Sequence, residues 1–596
     1  MKDFLPCMNP YPEELKFTGI ATSIGSAYGK AFLVERSERF VPCYDISDSQ
    51  IDGEIRRFEQ ALMKARSDIY ALKEELSQKI GEDESAIFDA HLLVLEDSAI
   101  INEVYSLLRS SKKNIDHCYA EVVNRFISAF EEISDPFIKE RISDIKDVSK
   151  RVISNLLGRD DTPAMNLGEP VILISSDFSP SDFALIDKTK VLGIISEKGS
   201  QTSHTSILAR SLRVPCVVGI SAETLGVKSG DTILLDGYKG CVFINPSQKT
   251  QKEYTEIASI RREIEKIFDS SIPYPCETSD GHKFSLEINI ASPADIDAYK
   301  HMASIDGVGL FRTEALFMDN NAFLSEDEQF EAYKEAVEKA AGKEVVIRTL
   351  DLGGDKNLAL LKEHRREENP FMGYRAIRFC LDRVDLFTAQ LKAILRASAC
   401  GKAAVLFPMV SGINELTKCC DILEQAKLAL KNEGKPFDEN IKVGAMIEVP
   451  SAAMIIDILA DKCDFISIGT NDLIQYLLAV DRVNDKVAHL YNPANPAVIR
   501  TLDKIVSDGK AAGLKVAVCG EIAADPIFAI LLIAMGVDCL SMASGAVSEI
   551  KFLLRKVSFK ELQALKEEVL RQKRSRDILA ILRRFRSELM SKYIHI

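Results

Sequence analysis

Residues 443–472 read VGAMIEVPSAAMIIDILADKCDFISIGTND, with a short apolar run at each end and an amphipathic stretch between them. This order is typical of a strand–helix–strand unit. The same rhythm fills the chain beyond about residue 280. It gives eight predicted strands: FSLEINIA (284–291), GVGLFRTE (307–314), VVIRTLD (345–351), AVLFPMV (404–410), VGAMIEVP (443–450), FISIGTND (465–472), KVAVCGE (515–521) and CLSMAS (539–544).

Eight β–α units in succession predict a (β/α)₈ barrel, the fold in which each strand is followed by an outer helix. A doubly wound open sheet is the alternative, and the count of eight disfavours it. The stretch SFKELQALKEEVLRQKRSRDILAILRRFRSEL, near the end of the chain, predicts terminal helices.

Polar side chains gather at the carboxyl ends of the predicted strands, where barrel enzymes build their active sites. They are Arg312 and Glu314, Arg348 and Asp351, Glu448, Asn471 and Asp472, and Cys519 and Glu521. Arg375 and Arg482 fall on or near the same mouth. A single arginine after a strand is usually a salt bridge, but four guanidinium groups around one cavity indicate a ligand with several negative charges.

Two carboxylates end consecutive predicted strands, Glu448 on the fifth and Asp472 on the sixth. Hard oxygen ligands beside an arginine cluster suit Mg²⁺ that bridges a phosphorylated ligand. The alternative is that either acid pairs with one of the arginines.

The N-terminal half has a different layout. Residues 17–37 predict a strand, a glycine-bounded turn and a strand, and Asp48 to Leu157 predicts a block of four helices. Strands return after Pro170, as VILISS (171–176), VLGIIS (191–196), VPCVVGI (214–220), DTILLDG (231–237) and CVFINP (241–246). This order suggests that residues 17–37 complete a domain otherwise formed by 160–246. The charged helix that follows, with the SSIPYP segment, predicts a linker.

His204 lies in the segment Thr202-Ser203-His204-Thr205-Ser206, directly before an apolar helical run. Hydroxyl residues before such a run mark a helix N-terminus, whose free N–H groups and dipole favour an anion. An imidazole with a near-neutral pKa also leaves a ring nitrogen free to attack phosphorus. The pattern fits a catalytic histidine and a structural one equally well.

Composition excludes several classes of function. The formal charge of −14 argues against a nucleic-acid partner, and no segment is long and apolar enough to span a membrane. The thirteen cysteines form no CxxC pair, and the N-terminus lacks the apolar core of a signal peptide. We therefore expect a reduced, cytoplasmic protein.

Between Lys79 and Arg109 the chain carries seven acids and no Lys or Arg: Glu82, Asp83, Glu84, Asp89, Glu96, Asp97 and Glu103. A solvated helix face is the ordinary interpretation of such a run. The alternative is a docking surface for a basic partner protein, which charge would steer toward it.

Several segments together resemble the Enzyme I family, the phosphoenolpyruvate–protein phosphotransferases of the bacterial sugar phosphotransferase system. TSHTSILARSLRVPCVVG resembles the family's phosphohistidine motif, and AIFDAHLLVLED resembles its docking domain for the carrier protein HPr. Other segments resemble the family's phosphoenolpyruvate site. They are DGVGLFRTEALFM, IRTLDLGGDK, EENPFMGYRAIR, ILRASA, IEVPSAA, FISIGTNDLIQYLLAVDR and AVCGE. The resemblance covers nearly the whole chain.

The resemblance implies a role for each site residue. His204 would accept the phosphoryl group, with Arg210 nearby. Arg312, Arg348 and Arg482 would hold the substrate with help from Arg375, and Asn471 would bond its phosphate. Glu448 and Asp472 would ligate Mg²⁺, and Cys519 would protonate the enolate carbon as pyruvate forms, as a protonated thiol can. His91 would lie within the docking surface.

The implied fold is a multidomain α/β protein with a swivelling phosphohistidine domain, an inserted helical bundle and a (β/α)₈ barrel. The expected domains are a lead-in (1–16), the phosphohistidine domain (17–37 with 160–246), the HPr-binding domain (38–159), the linker helix (247–280) and the phosphoenolpyruvate-binding barrel with its terminal helices (281–596). The histidine domain would swing between substrate and carrier. A homodimer through the C-terminal domain is implied by the resemblance alone.

Some positions depart from the family pattern: Gly199-Ser200-Gln201 precede the histidine motif, and Tyr374 replaces a tryptophan. The first change bears on turnover, because it removes a glycine and a cation beside His204. A pyruvate phosphate dikinase or phosphoenolpyruvate synthase is one rival, but the chain has no room for an ATP-grasp domain. A carrier-binding signalling protein without turnover is the other, and the presence of every expected catalytic residue disfavours it.

Overall fold

The fold was analysed in a computed structural model that describes residues 14–34, 40–80, 87–131, 136–158, 167–187, 189–200, 203–212, 214–299, 301–318, 323–353, 367, 369–482, 484 and 486–594. The chain divides into two compact units, Met1–Ser259 and Ile260–Ile596. Residues 1–13 of the predicted lead-in, residues 82–84, Gln201, Thr202 and the 354–356 part of the DLGGDK segment lie outside the described residues.

The N-terminal unit contains one eight-stranded sheet with the strand order β1-β8-β7-β3-β4-β5-β6-β2. Its strands are β1 (Leu15–Thr18), β2 (Ile20–Ser23), β3 (Ser26–Leu33), β4 (Val171–Ser175), β5 (Val191–Ser196), β6 (Cys216–Val218), β7 (Thr232–Asp236) and β8 (Cys241–Ile244). The first three strands are therefore built into one sheet with strands that follow more than a hundred residues later. The prediction of two strands before the helical block was wrong, since a break at Gly19 gives three.

Gly19 can stand at this break because it has no side chain. A β-carbon there would lie 2.5 Å from the carbonyl oxygen of Val218. The chain therefore passes close to β6 at this point, and β1 and β2 pair with opposite edges of the sheet, β8 and β6.

Five α-helices lie between β3 and β4 within the described residues, where four were predicted. They are α1 (Ile51–Ile80), α2 (Ile87–Leu95), α3 (Ser98–Ser111), α4 (Ile115–Glu131) and α5 (Pro136–Leu156). The extra division arises at Asp97, whose carboxylate accepts a hydrogen bond from the Ala99 backbone N–H at 2.8 Å and caps α3. A continuous apolar core joins these helices to one face of the sheet, and a second core covers the other face.

The rest of the N-terminal unit contains α6 (Pro180–Ala184), α7 (His204–Ser211) and α8 (Ala222–Leu225). The predicted charged helix is α9 (Gln248–Asp269), within which the two units meet along the chain.

The C-terminal unit is a closed barrel of eight parallel strands, which confirms the predicted fold class. The strands are β9 (Ser285–Ile290), β10 (Gly307–Arg312), β11 (Glu344–Arg348), β12 (Ala403–Phe407), β13 (Lys442–Ile447), β14 (Phe465–Ile468), β15 (Lys515–Val518) and β16 (Cys539–Met542). All eight predicted strands are present, and β16 closes the ring by pairing with β9.

Helices surround this barrel and bury most of its outer face in one large apolar core. They are α10 (Ala294–Ala298), α11 (Ala315–Met318), α12 (Glu326–Lys339), α13 (Ile377–Asp382), α14 (Val384–Ser398), α15 (Ile413–Asn432), α16 (Pro450–Ala453), α17 (Ile456–Leu459), α18 (Thr470–Leu478), α19 (Pro496–Ala511), α20 (Pro526–Met535), α21 (Val547–Arg555), α22 (Phe559–Leu570) and α23 (Ser575–Tyr593). The described helices include none with the length and apolarity that crossing a bilayer requires.

Candidate active site

Arg348 is a buried, paired arginine at the barrel mouth. It is the last residue of β11 and stands in register with Arg312, the last residue of β10. Its guanidinium donates to Glu314 and lies 3.3 Å from Asp351 Oδ2. Burial opposes its charge, but these two carboxylates outweigh burial and hold the pKa of Arg348 above its ordinary value.

Arg375 is 2% exposed and lies between two carboxylates. Its Nη2 donates to Asp351 Oδ1 at 3.0 Å and to Asp472 Oδ2 at 3.4 Å, and its Nη1 donates to the hydroxyl of Tyr476 at 3.2 Å. Burial again opposes the charge, and the carboxylates again keep the pKa of the guanidinium raised. This arginine is therefore fixed in place and permanently charged.

Arg312 and Arg482 are more open. Arg312 is exposed, and no ion pair of its side chain is seen among the described residues. Arg482 lies 4.0 Å from Asp472 Oδ1, and its backbone N–H donates to Gln475. The four arginines thus share one end of the barrel as predicted, but the protein's own carboxylates balance most of their charge. The charge of the cluster is therefore a weaker argument for an anionic ligand than the sequence implied. The strongest support for such a ligand comes from Arg312.

Glu448 follows β13, and its Oε1 accepts a hydrogen bond from the Met409 backbone N–H at 2.6 Å. Burial, and then the neighbouring carboxylates of Asp472 and Asp351, raise the pKa of Glu448 to about 8. Asp472 has one buried oxygen, Oδ1, with no hydrogen-bond donor among the described residues. Crowded buried carboxylates of this kind fit a divalent cation, which would relieve their repulsion.

No group of three or more His, Cys, Asp or Glu side chains in the described ranges is arranged to hold a metal. Glu448 and Asp472 by themselves would therefore offer a metal two ligands and no complete cage. Mg²⁺ sites in phosphoryl-transfer enzymes have this form, because the metal keeps water and substrate oxygens as its other ligands. The alternative from the sequence was that either acid pairs with an arginine. Asp472 does so in part, because it contacts Arg375. Among the described residues, no ion pair of Glu448 with an arginine is seen.

Asn471 and Asp472 stand in the first turn of α18 and not at the end of a strand, since β14 stops at Ile468. Asn471 exchanges two hydrogen bonds with Glu521: its Nδ2 donates to Oε1 at 2.9 Å, and its Oδ1 accepts from the Glu521 N–H at 3.0 Å. The pair joins α18 to the segment after β15 and fixes the orientation of the Asn471 amide.

Cys519 directly follows β15 and is 2% exposed. Its N–H donates to the Ile468 carbonyl at 3.2 Å, and its sulfur lies 3.7 Å from the same oxygen. Burial raises the pKa of the thiol, so the group is protonated at neutral pH and can serve as an acid.

One contact residue and two strained backbone positions at this site were not predicted from the sequence. Tyr476 lies four residues after Asp472 on α18, a spacing that places both on one helix face and could have found it. Met409 and Ala376 adopt left-handed φ angles of 56° and 50°, which side-chain-bearing residues rarely do. Both flank the site, and no sequence signal marks this strain.

His204 lies in the other unit as the first residue of α7. Its side chain is half-buried, and Ser203 precedes it with an extended backbone. The helix start was predicted correctly, but the Ser203 hydroxyl makes no cap and instead donates to the Ser200 carbonyl at 3.0 Å. Arg210, on the same helix, donates to the Thr22 carbonyl at 3.4 Å.

His91 is 1% exposed and lies between two aspartates of α5, 3.4 Å from Asp144 and 3.7 Å from Asp147. The expectation that it forms part of a docking surface was wrong, because its helix turns it into the core. The described acids nearby are partly neutralised: Asp89 pairs with Lys73, Glu96 with Arg66 and Glu103 with Arg125.

Three family descriptions match successive parts of the chain. They are "PEP-utilising enzyme, N-terminal" over residues 18–141, "PEP-utilising enzyme, mobile domain" over 167–240 and "PEP-utilising enzyme, PEP-binding domain" over 269–559. The chain is also similar to proteins named phosphoenolpyruvate-protein phosphotransferase. The one from Haemophilus influenzae is 39% identical over 95% of this chain and 98% of its own length. The one from Staphylococcus carnosus is 39% identical over 95% of this chain and 98% of its own length. The one from Bacillus subtilis is 38% identical over 96% of this chain and 99% of its own length.

Proposed function

Because the chain belongs to the PEP-utilising enzymes and, within them, to the phosphoenolpyruvate-protein phosphotransferases, we propose that it carries phosphoryl groups from phosphoenolpyruvate to HPr on His204. The protein is a transferase, and phosphoenolpyruvate is its substrate. The observation that supports the residue assignment best is the placement of four arginines at one end of the barrel, where buried carboxylates hold Arg348 and Arg375 in place and Arg312 stays exposed.

His204 is the proposed phosphoryl acceptor. Its imidazole stands at the start of α7, where the backbone N–H groups and the helix dipole stabilise negative charge on a bound phosphoryl group. Attack by a ring nitrogen forms an N–P bond and breaks the bond between phosphorus and the enolate oxygen. Because His204 and the arginine cluster lie in different units, His204 has to reach the substrate and later leave it for the carrier.

Arg312, Arg348 and Arg482 are the proposed substrate ligands, with Arg375 assisting and Asn471 bonding the phosphate. Fixed guanidinium groups stabilise the charge of a transferring phosphoryl group without reorganising during the reaction. Arg348 is held by Glu314 and Asp351 for this purpose, and the exposed Arg312 is free to approach the substrate.

Glu448 and Asp472 are the proposed Mg²⁺ ligands. When bound there, Mg²⁺ would neutralise charge on the phosphate and on the enolate oxygen. The two carboxylates are held ready by the Met409 N–H and by Arg375, respectively.

Cys519 is the proposed acid. Its S–H bond breaks as a C–H bond forms on the enolate carbon, and pyruvate leaves. The thiol is suited to this role because burial keeps it protonated until a strong base such as an enolate is next to it.

The proposed HPr-docking surface lies on α1 and α2. It presents Met63, 65% exposed, and Leu93, 63% exposed, beside the acids of the 79–109 segment. Exposed apolar side chains rimmed by charge are typical of protein-docking surfaces. The ion pair of Glu96 is solvent-exposed and that of Asp89 is partly exposed, so a basic partner can replace them at little cost.

The remaining sequence-based expectations are kept as proposals: the five domain boundaries, a homodimer through the C-terminal domain and a cytoplasmic location. The sheet pairing of β1–β3 with β4–β8 supports the proposal that residues 17–37 and 160–246 form one domain.

One experiment tests the central proposal. Purified protein is mixed with ³²P-phosphoenolpyruvate and Mg²⁺, with and without HPr, and labelled protein is followed. We expect label on the wild-type chain that HPr removes, and none on His204→Ala. Label that persists on His204→Ala would assign the phosphoryl group to another residue. A requirement for ATP would favour the dikinase reaction.

A further inference from the structure

The interior of the barrel has two chemically different sides. One side is an apolar cluster formed by Leu310, Val346, Ala404, Leu406, Met446, Phe465 and Cys519. The other carries polar groups that face the interior on β9, β14, β15 and β16, among them Glu287, Ser467, Lys515 and Ser541. Barrel interiors are normally packed with branched apolar side chains, so a polar side is a departure that calls for a reason.

A cavity of about 150 Å³ opens beside these polar groups, and Val346 and Phe465 of the apolar cluster line it as well. Its lining includes Lys515, Lys442 and Glu344, each the first residue of its strand, so it lies at the amino end of the barrel, opposite the arginine cluster. Lys515 Nζ lies 3.4 Å from Glu287 Oε1 at this end. A cavity of this volume with ionic and hydroxyl groups in its wall holds several water molecules.

Gly309 keeps the polar side open. A β-carbon at this position would lie 2.4 Å from Glu287 Oε2 and 2.5 Å from Ser541 Oγ. Ser541 donates to Asn289 Oδ1 at 2.6 Å, and Asn289 Nδ2 donates to the carbonyl of Cys519 at 3.0 Å. Polar contacts thus run from Ser541 to the backbone of Cys519, and Gly309 leaves open space between Ser541 and the Lys515–Glu287 pair.

A second connection leads to the thiol itself. Alternate residues of a strand face the same side, so Lys515, Ala517 and Cys519 form one inward row on β15 from the amino end upward. Ser467 on β14 is the register partner of Ala517, and both line the cavity. Ser467 is 1% exposed, and its hydroxyl has no hydrogen-bond partner among the described residues. The pairing of β14 with β15 sets it beside the inward row that ends at Cys519.

The proposed reaction leaves a thiolate on Cys519 after every turnover, and the S–H bond has to be re-formed from solvent. Cys519 belongs to the apolar cluster, and Ser467 and the cavity lie next to it toward the amino end of the barrel. We propose that Cys519 regains its proton through the barrel interior, from solvent at the amino end through the cavity water to the Ser467 hydroxyl and on to the sulfur. Solvent supplies one proton per turnover, and no other reactant is consumed. This inference rests on the proposed function of Cys519.

Isotope transfer between two substrate pools tests the route. The full-length protein is incubated in H₂O with Mg²⁺, unlabelled phosphoenolpyruvate and pyruvate whose methyl group carries three deuterium atoms. In the reverse reaction Cys519 takes one deuterium, which releases phosphoenolpyruvate with two. If the deuterium has not been lost to solvent, the next unlabelled phosphoenolpyruvate receives it and becomes singly deuterated pyruvate. Mass spectrometry gives the ratio of singly deuterated pyruvate to doubly deuterated phosphoenolpyruvate.

This ratio reports how fast the Cys519 thiol exchanges its deuterium for a solvent proton. It does not depend on the fraction of a variant that is folded. We expect a ratio near zero for the wild type and a rise of at least about tenfold in Ser467→Ala, the lower range for loss of a positioned proton-transfer group. Ser467→Thr keeps the hydroxyl and should restore the low ratio. Ala517→Val fills the cavity without removing a polar group and should raise the ratio as well.

Ala404→Val is the matched control, because Ala404 belongs to the apolar side and should leave the ratio at the wild-type value. A wild-type ratio in both Ser467→Ala and Ala517→Val, while the two pools still exchange, would overturn the interior route and leave the proposed function intact. An absence of any exchange in the wild type would instead overturn the proposed function, and the route with it.

Discussion

Arg375 is a charged side chain whose partners are almost as deeply buried as the guanidinium itself. Replacement by methionine keeps much of the side-chain volume but removes the positive charge of Arg375 that now pairs with Asp351 and Asp472. We expect Arg375→Met to destabilise the barrel by about 3–5 kcal/mol, the range for breaking a buried ion pair. Urea unfolding followed by circular dichroism measures this, since the chain has no tryptophan.

The control for Arg375→Met is Arg383→Met. Arg383 also pairs with an aspartate, Asp385, but both side chains are close to half-exposed or more. Exposed pairs contribute less than about 1 kcal/mol, so the control should unfold almost as the wild type does. Equal effects of the two substitutions would contradict the assignment of Arg375 as a buried structural charge.

Arg312 is predicted to behave in the opposite way. It is exposed, and an ion pair of its side chain is absent from the described residues, so Arg312→Met should leave the urea midpoint unchanged. Loss of one charge-assisted contact with the substrate should raise the KM for phosphoenolpyruvate roughly 10- to 100-fold. Steady-state kinetics with pyruvate detection checks this. An unchanged KM would remove Arg312 from the substrate site.

At the scale of elements, Glu326 joins α12 to α14 and to the loop after α15. It accepts from Lys392, Lys435 and Arg396. Burial opposes its charge, but these three donors outweigh burial and lower the pKa of Glu326 to about 2. A carboxyl whose folded pKa is lowered stabilises the protein above its unfolded pKa and loses that contribution as pH falls toward the folded pKa.

We therefore expect Glu326→Gln to lower the free energy of unfolding by about 1–3 kcal/mol at pH 7. The difference from the wild type should shrink as pH falls from about 4.5 toward 2, the interval between the unfolded and folded pKa values. Glu433→Gln serves as the control, since Glu433 contacts Lys392 and Lys435 from a more exposed position. A difference that grows on acidification would contradict the assignment.

The proposed docking surface on α1 and α2 can be tested by a substitution at Leu93. Leu93→Lys places a cation where a basic partner would pack, so it should weaken transfer to HPr roughly tenfold or more, as loss of a buried interface anchor does. Labelling of the chain by phosphoenolpyruvate should not change. Leu428→Lys, at a similarly exposed leucine of α15, is the control. Equal effects of both would argue against docking on α1 and α2.

The sequence predicted most elements well where a local pattern decides them, although the local helix cap at Asp97 was missed. The eight barrel strands, the charged linker helix and the start of α7 were all read from periodicity and helix-end residues. The sequence-based prediction failed where the residues in contact are distant along the chain. The break at Gly19 follows from contact with Val218, and the pairing of Arg375 with Asp472 spans 97 residues. Local periodicity carries no information about either contact.

At the scale of the whole molecule, the two units have separate cores and should unfold separately. Phe58 is fully buried in the helical core of the N-terminal unit, and Phe58→Ala should cost about 3–5 kcal/mol. Calorimetry should show two transitions, with Phe58→Ala lowering one and Arg375→Met lowering the other. If each variant shifted both transitions equally, the units would be thermodynamically coupled.

The strand pairing in the N-terminal sheet also determines when this sheet can form during synthesis of the chain. β1 pairs with β8, so Leu15 meets Ile244 only after roughly 230 residues have left the ribosome, on the order of ten seconds or more of synthesis. During that wait the strands β1–β3 have edges that invite pairing with other nascent chains. The helices between them depend on local contacts and can form first. Rare codons that slow translation after residue 158 would lengthen this exposed interval, whereas the same codons after residue 244 would not.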